Sequence, residues 1–179
     1  RSDRGLIMER RTFSIEQKGR TLYGYAARFG EPASIGSFSE VIHPGAFTRS
    51  LAGPAAASIR AIYEHDDAAL LGRVGAGTLR LKEDDVGLAF ELDLPDTSLG
   101  RDVAELVKRG DVDGCSFGFV SVTDKWEGEQ RSLHAVDLHE ITITSNPAYL
   151  TTSVSVRSNK PVQALVHARR YLEFLECIR

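Results

Sequence analysis

The stretch Gly114-Cys115-Ser116-Phe117-Gly118-Phe119-Val120-Ser121-Val122 decides how this chain is read. Phe117 and Phe119 recur with a period of two, and Gly114, Ser116 and Gly118 fall between them, which is the pattern of a strand with one face on a core. Regular alternation leaves the other face bare. A serine with glycine two residues away on each side keeps its hydroxyl uncrowded and lets another backbone come close. A strand whose glycines only mark a bulge gives the same pattern, so any chemistry must be sought in the rest of the chain.

Downstream, residues 133–144 alternate again and predict a second strand, separated from the first by a polar loop at 124–131, before Asn146-Pro147 breaks the pattern. Upstream, residues 8–29 predict a hairpin: β-rich segments around Phe13-Ser14-Ile15 and Thr21-Leu22-Tyr23-Gly24-Tyr25 flank the turn Lys18-Gly19. A loop at 30–37 leads to a short strand at 38–42 and the turn His43-Pro44-Gly45, then a brief helical turn at 46–51 and a small-residue segment at 53–58 expected to be mobile. Residues 58–65 alternate Ile59, Ala61, Tyr63 and His65 against Arg60, Ile62 and Glu64, a strand that ends at His65. A second hairpin pairs 78–82 with 86–94 around Glu83-Asp84-Asp85. Asp96-Thr97-Ser98 supplies helix caps for a helix that ends on Lys108-Arg109 before Gly110. From Pro161, Val162, Leu165, Val166, Leu172 and Leu175 recur at helical spacing and predict a terminal amphipathic helix. Many short strands and few helices predict a mostly β, α+β domain: one β-barrel, closed or nearly closed, with helices packed outside it.

A chain of 179 residues with 42% hydrophobic residues fits one domain with one core. The net charge is −3, from 22 Lys+Arg against 25 Asp+Glu, and the basic residues are scattered apart from Arg10-Arg11 and Arg169-Arg170. No nucleic-acid partner is expected from that distribution. No apolar run is long enough to span a bilayer, and Arg1-Ser2-Asp3-Arg4 precedes no signal-peptide stretch, so no membrane association or secretion is expected. Cys115 and Cys177 allow one disulfide at most, and Cys115 in its apolar run reads as a packed thiol in a reducing compartment.

Three residues form the candidate site. Ser116 needs a base, because a serine hydroxyl is almost never ionised near neutrality, and His65 beside Glu64, Asp66 and Asp67 is an oriented imidazole at a strand end. Glu140, expected to share a face with Val136 and Leu138, is read as partly buried, and burial demands a partner. That partner is either an imidazole N–H, which fixes the tautomer of a base, or an arginine. By the same alternation Asp137 and His139 point the other way. A metal site from His65, Asp66, His134 and His139 lacks tight ligand spacing, a thiol mechanism through Cys115 would face the core, and no dinucleotide or Walker glycine loop is present. No cofactor or metal is expected.

The pieces Gly24-Tyr25-Ala26-Ala27-Arg28-Phe29, Glu40-Val41-Ile42-His43-Pro44-Gly45-Ala46-Phe47, Glu64-His65-Asp66, Leu71-Gly72-Arg73-Val74 and Gly87-Leu88 stand in a particular order. Gly100-Arg101-Asp102, Ser116-Phe117-Gly118-Phe119, Leu138-His139-Glu140-Ile141-Thr142 and Asn146-Pro147-Ala148 follow them. In order and spacing this resembles the prohead proteases of tailed bacteriophages, a family related to the herpesvirus assemblins, over most of residues 20–157. The resemblance implies an assemblin-like barrel, and with it residues 1–157 are read as a protease domain, while 158–179, outside the matched pieces, form a C-terminal amphipathic helix by their own periodicity. It places the nucleophile on Ser116, the base on His65 and the acid on Glu140. His139 and His134 remain alternatives for the third role, since assemblins use a second histidine there. It further implies cleavage of the scaffolding region of the major capsid protein and of the protease itself, inside the procapsid in the host cytoplasm, and a homodimer or higher self-association. Two rivals stand beside it: a non-catalytic β-barrel of a phage structural assembly, suggested by the likeness of such barrels to tail-tube proteins, and a metal-dependent hydrolase.

Overall fold

A computed structural model describes residues 15–35 and 37–145. Phe13, Ser14, Asn146, Cys177 and the expected helix from Pro161 lie outside these residues. The first hairpin forms about Gly19, joining β1 (Glu16–Lys18) to β2 (Thr21–Arg28). β3 (Ala33–Ile35) and β4 (Phe38–Ile42) follow, then α1 (Thr48–Ala52), β5 (Arg60–Tyr63) and β6 (Asp66–Arg73). The segment expected to be mobile is instead a 3-10 helix, Pro54–Ser58, placed against a second one at Val74–Ala76, where Val74 N–H donates to the Ile59 carbonyl. Proline at its first turn sets the φ that such a helix needs.

β7 (Leu79–Glu83) and β8 (Gly87–Asp93) make the second hairpin. Its acidic turn is built by Asp84, whose carboxylate accepts from the Val86 and Gly87 N–H groups and from the Tyr25 hydroxyl. Those donors hold the Asp84 carboxyl below the usual range. The expected helix is α2 (Ser98–Arg109). The Thr97 hydroxyl caps it by accepting from Gly100 N–H at 3.1 Å, and Gly110, at φ 80°, ends it. β9 (Gly114–Glu127) and β10 (Gln130–Thr144) then run as one long hairpin. The loop expected at 124–131 is therefore mostly strand, with only a tight turn at Gly128-Glu129, because paired backbone groups there satisfy each other whatever the polarity of the side chains.

The single closed or nearly closed barrel surrounded by helices does not form. The strands divide into two open sheets, β1-β2-β8-β7 and β3-β4-β10-β5-β6 with β9 on the free side of β10. Closure requires each edge strand to find a second partner. β10 instead gives one edge to β9 and splits its other edge between β4, over Gln130 to Leu133, and β5, over Glu140 to Ile143, both parallel. Among the described residues that leaves β3, β6, β9, β1 and β7 as edges. The two sheets share one core, in which Leu22, Leu88 and Leu92 of the first meet Leu71, Leu133, Ile141 and Ile143 of the second, with Ile59 from the end of the 3-10 helix and Phe47, Val103 and Val107 from the α1 and α2 regions. Among the described residues α1 and α2 are the only α-helices.

Candidate functional site

The site is built on the three strands β9, β10 and β5, because directly paired residues project from the same face of a sheet. Thr142 stands opposite Ser116 on one side and Ile62 on the other, and Glu140 stands between Gly118 and Arg60. Ser116, Gly118, Glu140, Thr142, Arg60 and Ile62 thus share one face. Cys115, Phe117, Ala61, Ile141 and Ile143 alternate onto the opposite face and join the core. The division read from the glycine-flanked serine is correct in parity, but the face is not bare. Ser116 is buried, 1% exposed, and Thr142 beside it is 0% exposed.

Glu140 reaches this face through an irregularity. Alternation puts Glu140 with Val136 and Leu138, yet those two are core residues, 0% and 4% exposed. The register jumps between them: Leu138 pairs with Phe119, and Glu140 with Gly118, so two steps on β10 match one step on β9. The extra residue, His139, is a bulge, and a bulge reverses the facing of everything after it. Gly118 is the second requirement. A Cβ there would lie 2.8 Å from Glu140 Cγ, so the absence of a side chain on β9 makes the room in which the Glu140 side chain lies.

His65 is brought to Glu140 by the turn from β5 to β6. Tyr63 pairs with Asp66, which leaves Glu64 and His65 as a two-residue loop with φ 49° and 58°. Positive φ at both positions matches a type I′ hairpin, normally the place of Asn-Gly, and each non-glycine residue held there costs roughly 1–3 kcal/mol. Alternation placed His65 with Ile59 and Ala61, but β5 ends at Tyr63 and the left-handed turn carries the ring across. Its Nδ1 lies 4.0 Å from Glu140 Oε1. This separation is longer than a hydrogen bond and becomes a charge contact once the imidazole is protonated; such contacts in resting sites often tighten on substrate binding. Both sequence-stated partners of Glu140 are present, since the Arg60 guanidinium stands 3.8 Å from Oε2. Arg60 is also bound to Asp67 at 2.6 Å, and Thr142 donates to Glu140 Oε1 at 3.4 Å. Burial, and then the charge of Asp67, raise the Glu140 carboxyl above its ordinary value, against the opposing pull of Arg60 and Thr142.

The other candidates separate. His134 stacks on His43 with ring centroids 4.3 Å apart, at the β4 end of β10, and His139 is exposed at the bulge. Asp66 accepts from the Ala68 N–H. Among the described residues no three His, Cys, Asp or Glu side chains are grouped to hold a metal ion. Cys115 is a free thiol in the core, pushed far above its usual pKa by burial. Arg60, Asp67, Thr142 and Glu64 were missed as members of the site. Arg60 and Glu64 do show on one side of the 58–65 alternation, but nothing local announces that β5 lies parallel to β10.

A serine hydroxyl and a carboxylate on one sheet face, with an imidazole on the turn beside that carboxylate, are residue types that a serine hydrolase uses. The comparison with known families is more specific. Residues 8–165 match the family described as caudovirus prohead serine protease, and the chain belongs to that family. It is therefore a serine peptidase of procapsid maturation, and the reading as a non-catalytic structural barrel is set aside together with the barrel itself. No curated protein matches the chain, and no solved structure matches it.

Proposed function

We propose that Ser116 is the nucleophile, His65 its general base and Glu140 the group that orients His65. The observation that carries this reading is the common face of Ser116 and Glu140, with the His65 ring turned onto Glu140 by the β5–β6 loop. His65 takes the Ser116 proton as the oxygen attacks the scissile carbonyl. The imidazolium passes that proton to the leaving amine, the C–N bond breaks and an acyl-enzyme remains. Water, deprotonated by the same imidazole, then releases the acid product and restores Ser116. Ionised Glu140 stabilises the imidazolium in both halves, and Arg60 and Thr142 favour that ionised form.

The substrate is proposed to be the scaffolding region of the major capsid protein, with cleavage of the protease's own chain, inside the procapsid in the host cytoplasm. Protease copies associate there as dimers or larger assemblies, without nucleic acid or membrane as partners. Co-expression with the capsid protein, followed by mass spectrometry of the products, tests this. Ser116→Ala abolishes processing and self-cleavage, and chelators leave the wild type active. Processing that survives Ser116→Ala but is lost in Cys115→Ala overturns the serine mechanism.

A further inference from the structure

We propose that Glu64 is a positioning residue, a clamp that holds the strained two-residue turn in the one geometry that directs His65 onto Glu140. The inference rests on His65 being the base. Glu64 and His65 both sit at positive φ, a conformation that side chains disfavour and that the neighbouring structure must impose. Glu64 has the means to impose it. Its N–H donates to the Ile143 carbonyl at 3.0 Å. Its Oε2 accepts from the Thr144 hydroxyl at 2.8 Å, and its Oε1 from both the N–H and the hydroxyl of Ser145, each at 2.8 Å.

Both carboxylate oxygens are thus engaged by the last residue of β10, Thr144, and by Ser145 directly after it, in continuity with the strand that also carries Glu140. One strand therefore fixes both partners of the 4.0 Å contact: Glu140 directly, and His65 through its neighbour Glu64. Three charge-assisted hydrogen bonds are short and directional, so rotation of the turn that would swing the ring away must break them. A glutamate that stays in spite of the strain, tied at both oxygens, is the arrangement that orients rather than merely turns.

The test compares Glu64→Gly and Glu64→Gln in the full chain co-expressed with capsid protein, reading processing rate, melting temperature and the NMR resonance of the His65 ring, assigned with His65→Ala. Glycine adopts the turn freely but has nothing to tie. Glu64→Gly relieves the strain of one residue but loses all three bonds, so it is expected to melt somewhat below the wild type, to move the His65 resonance away from its wild-type position, and to slow processing about tenfold or more at temperatures where it is folded. Glu64→Gln keeps one acceptor oxygen for the two Ser145 donors and can donate its amide N–H to the Thr144 hydroxyl oxygen, and is expected to recover most of that rate. Should Glu64→Gly fold poorly, Thr144→Val removes one of the three bonds alone and is expected to slow processing about threefold, the loss of part of one such bond. Wild-type processing and an unmoved His65 resonance in Glu64→Gly, or wild-type processing in Thr144→Val, overturn the clamp while leaving the base assignment intact. Wild-type processing in His65→Ala overturns the base assignment and the clamp with it.

Discussion

Gly118→Ala places one methyl group where the structure has least room for it beside the site. The new Cβ lies 2.8 Å from Glu140 Cγ and 3.3 Å from both Cδ and Oε1. Carbon atoms in contact prefer roughly 3.5–4.0 Å, so the Glu140 side chain must retreat by about 1 Å. The direction is set by the sheet: Gly118 is on β9 and Arg60 directly across on β5, so the carboxylate is driven towards Arg60, now 3.8 Å away. An arginine fork that closes on both oxygens takes the carboxylate out of its present relation to His65. A displacement of about 1 Å at a catalytic group lowers turnover by up to about 10²-fold. The effect on stability is much smaller, because the atoms that yield belong to a flexible side chain; about 1 kcal/mol is expected, or roughly 2–4 °C in melting temperature. Capsid processing is followed as a time course, with a thermal melt of each purified variant. If Gly118→Ala melts within that range and processes at the wild-type rate, Glu140 does not need its present position, and its role as the orienting acid is refuted.

Three other outcomes are expected. Glu140→Gln slows processing strongly, yet does not lower stability at neutral pH: burial raises the carboxyl pKa, so the folded state holds its proton to higher pH than the unfolded chain does. The wild type is accordingly most favoured below the ordinary glutamate range and loses that contribution as pH rises through the raised value, so the advantage of the glutamine variant in urea melts grows with pH across this window and is absent at its acid end. A reversed trend contradicts the burial of Glu140. Thr97→Ala removes the hydroxyl that caps α2, costing about 1 kcal/mol with processing unchanged once folded, and a melt indistinguishable from wild type contradicts the cap. Iodoacetamide leaves native protein active and Cys115 unmodified as read by peptide mass, because the thiol is buried and hard to ionise; rapid alkylation of Cys115 in the native fold contradicts this.

Local pattern carried much of the fold into view. The hairpins about Gly19 and Asp84, the short strand β4, and α2 with its Thr97 cap and its end at Gly110 are where alternation and turn residues place them. They depend on interactions within a few residues, and those leave a periodic trace. Closure left none, because whether β9 or β7 meets another edge depends on pairings between distant segments. Hence the expected barrel is two open sheets.

The site divides along the same line. The residue types were legible at Ser116, His65 and Glu140, and so was the need of a buried carboxylate for an imidazole or an arginine. Alternation also separated Ser116 from the Phe117 face, since the period of a strand follows from its own backbone. What only the tertiary structure decided is how three strands bring Ser116, Glu140 and Arg60 to one face and set the His65 turn beside Glu140. Glu140 arrives through the extra residue His139, His65 through a left-handed turn, and Arg60 through the parallel register of β5 on β10. Parity is a local rule that one bulge or one positive φ resets. Which of these the chain adopts is settled by the core that Ile141 and Ile143 must enter, not by the residues at the site.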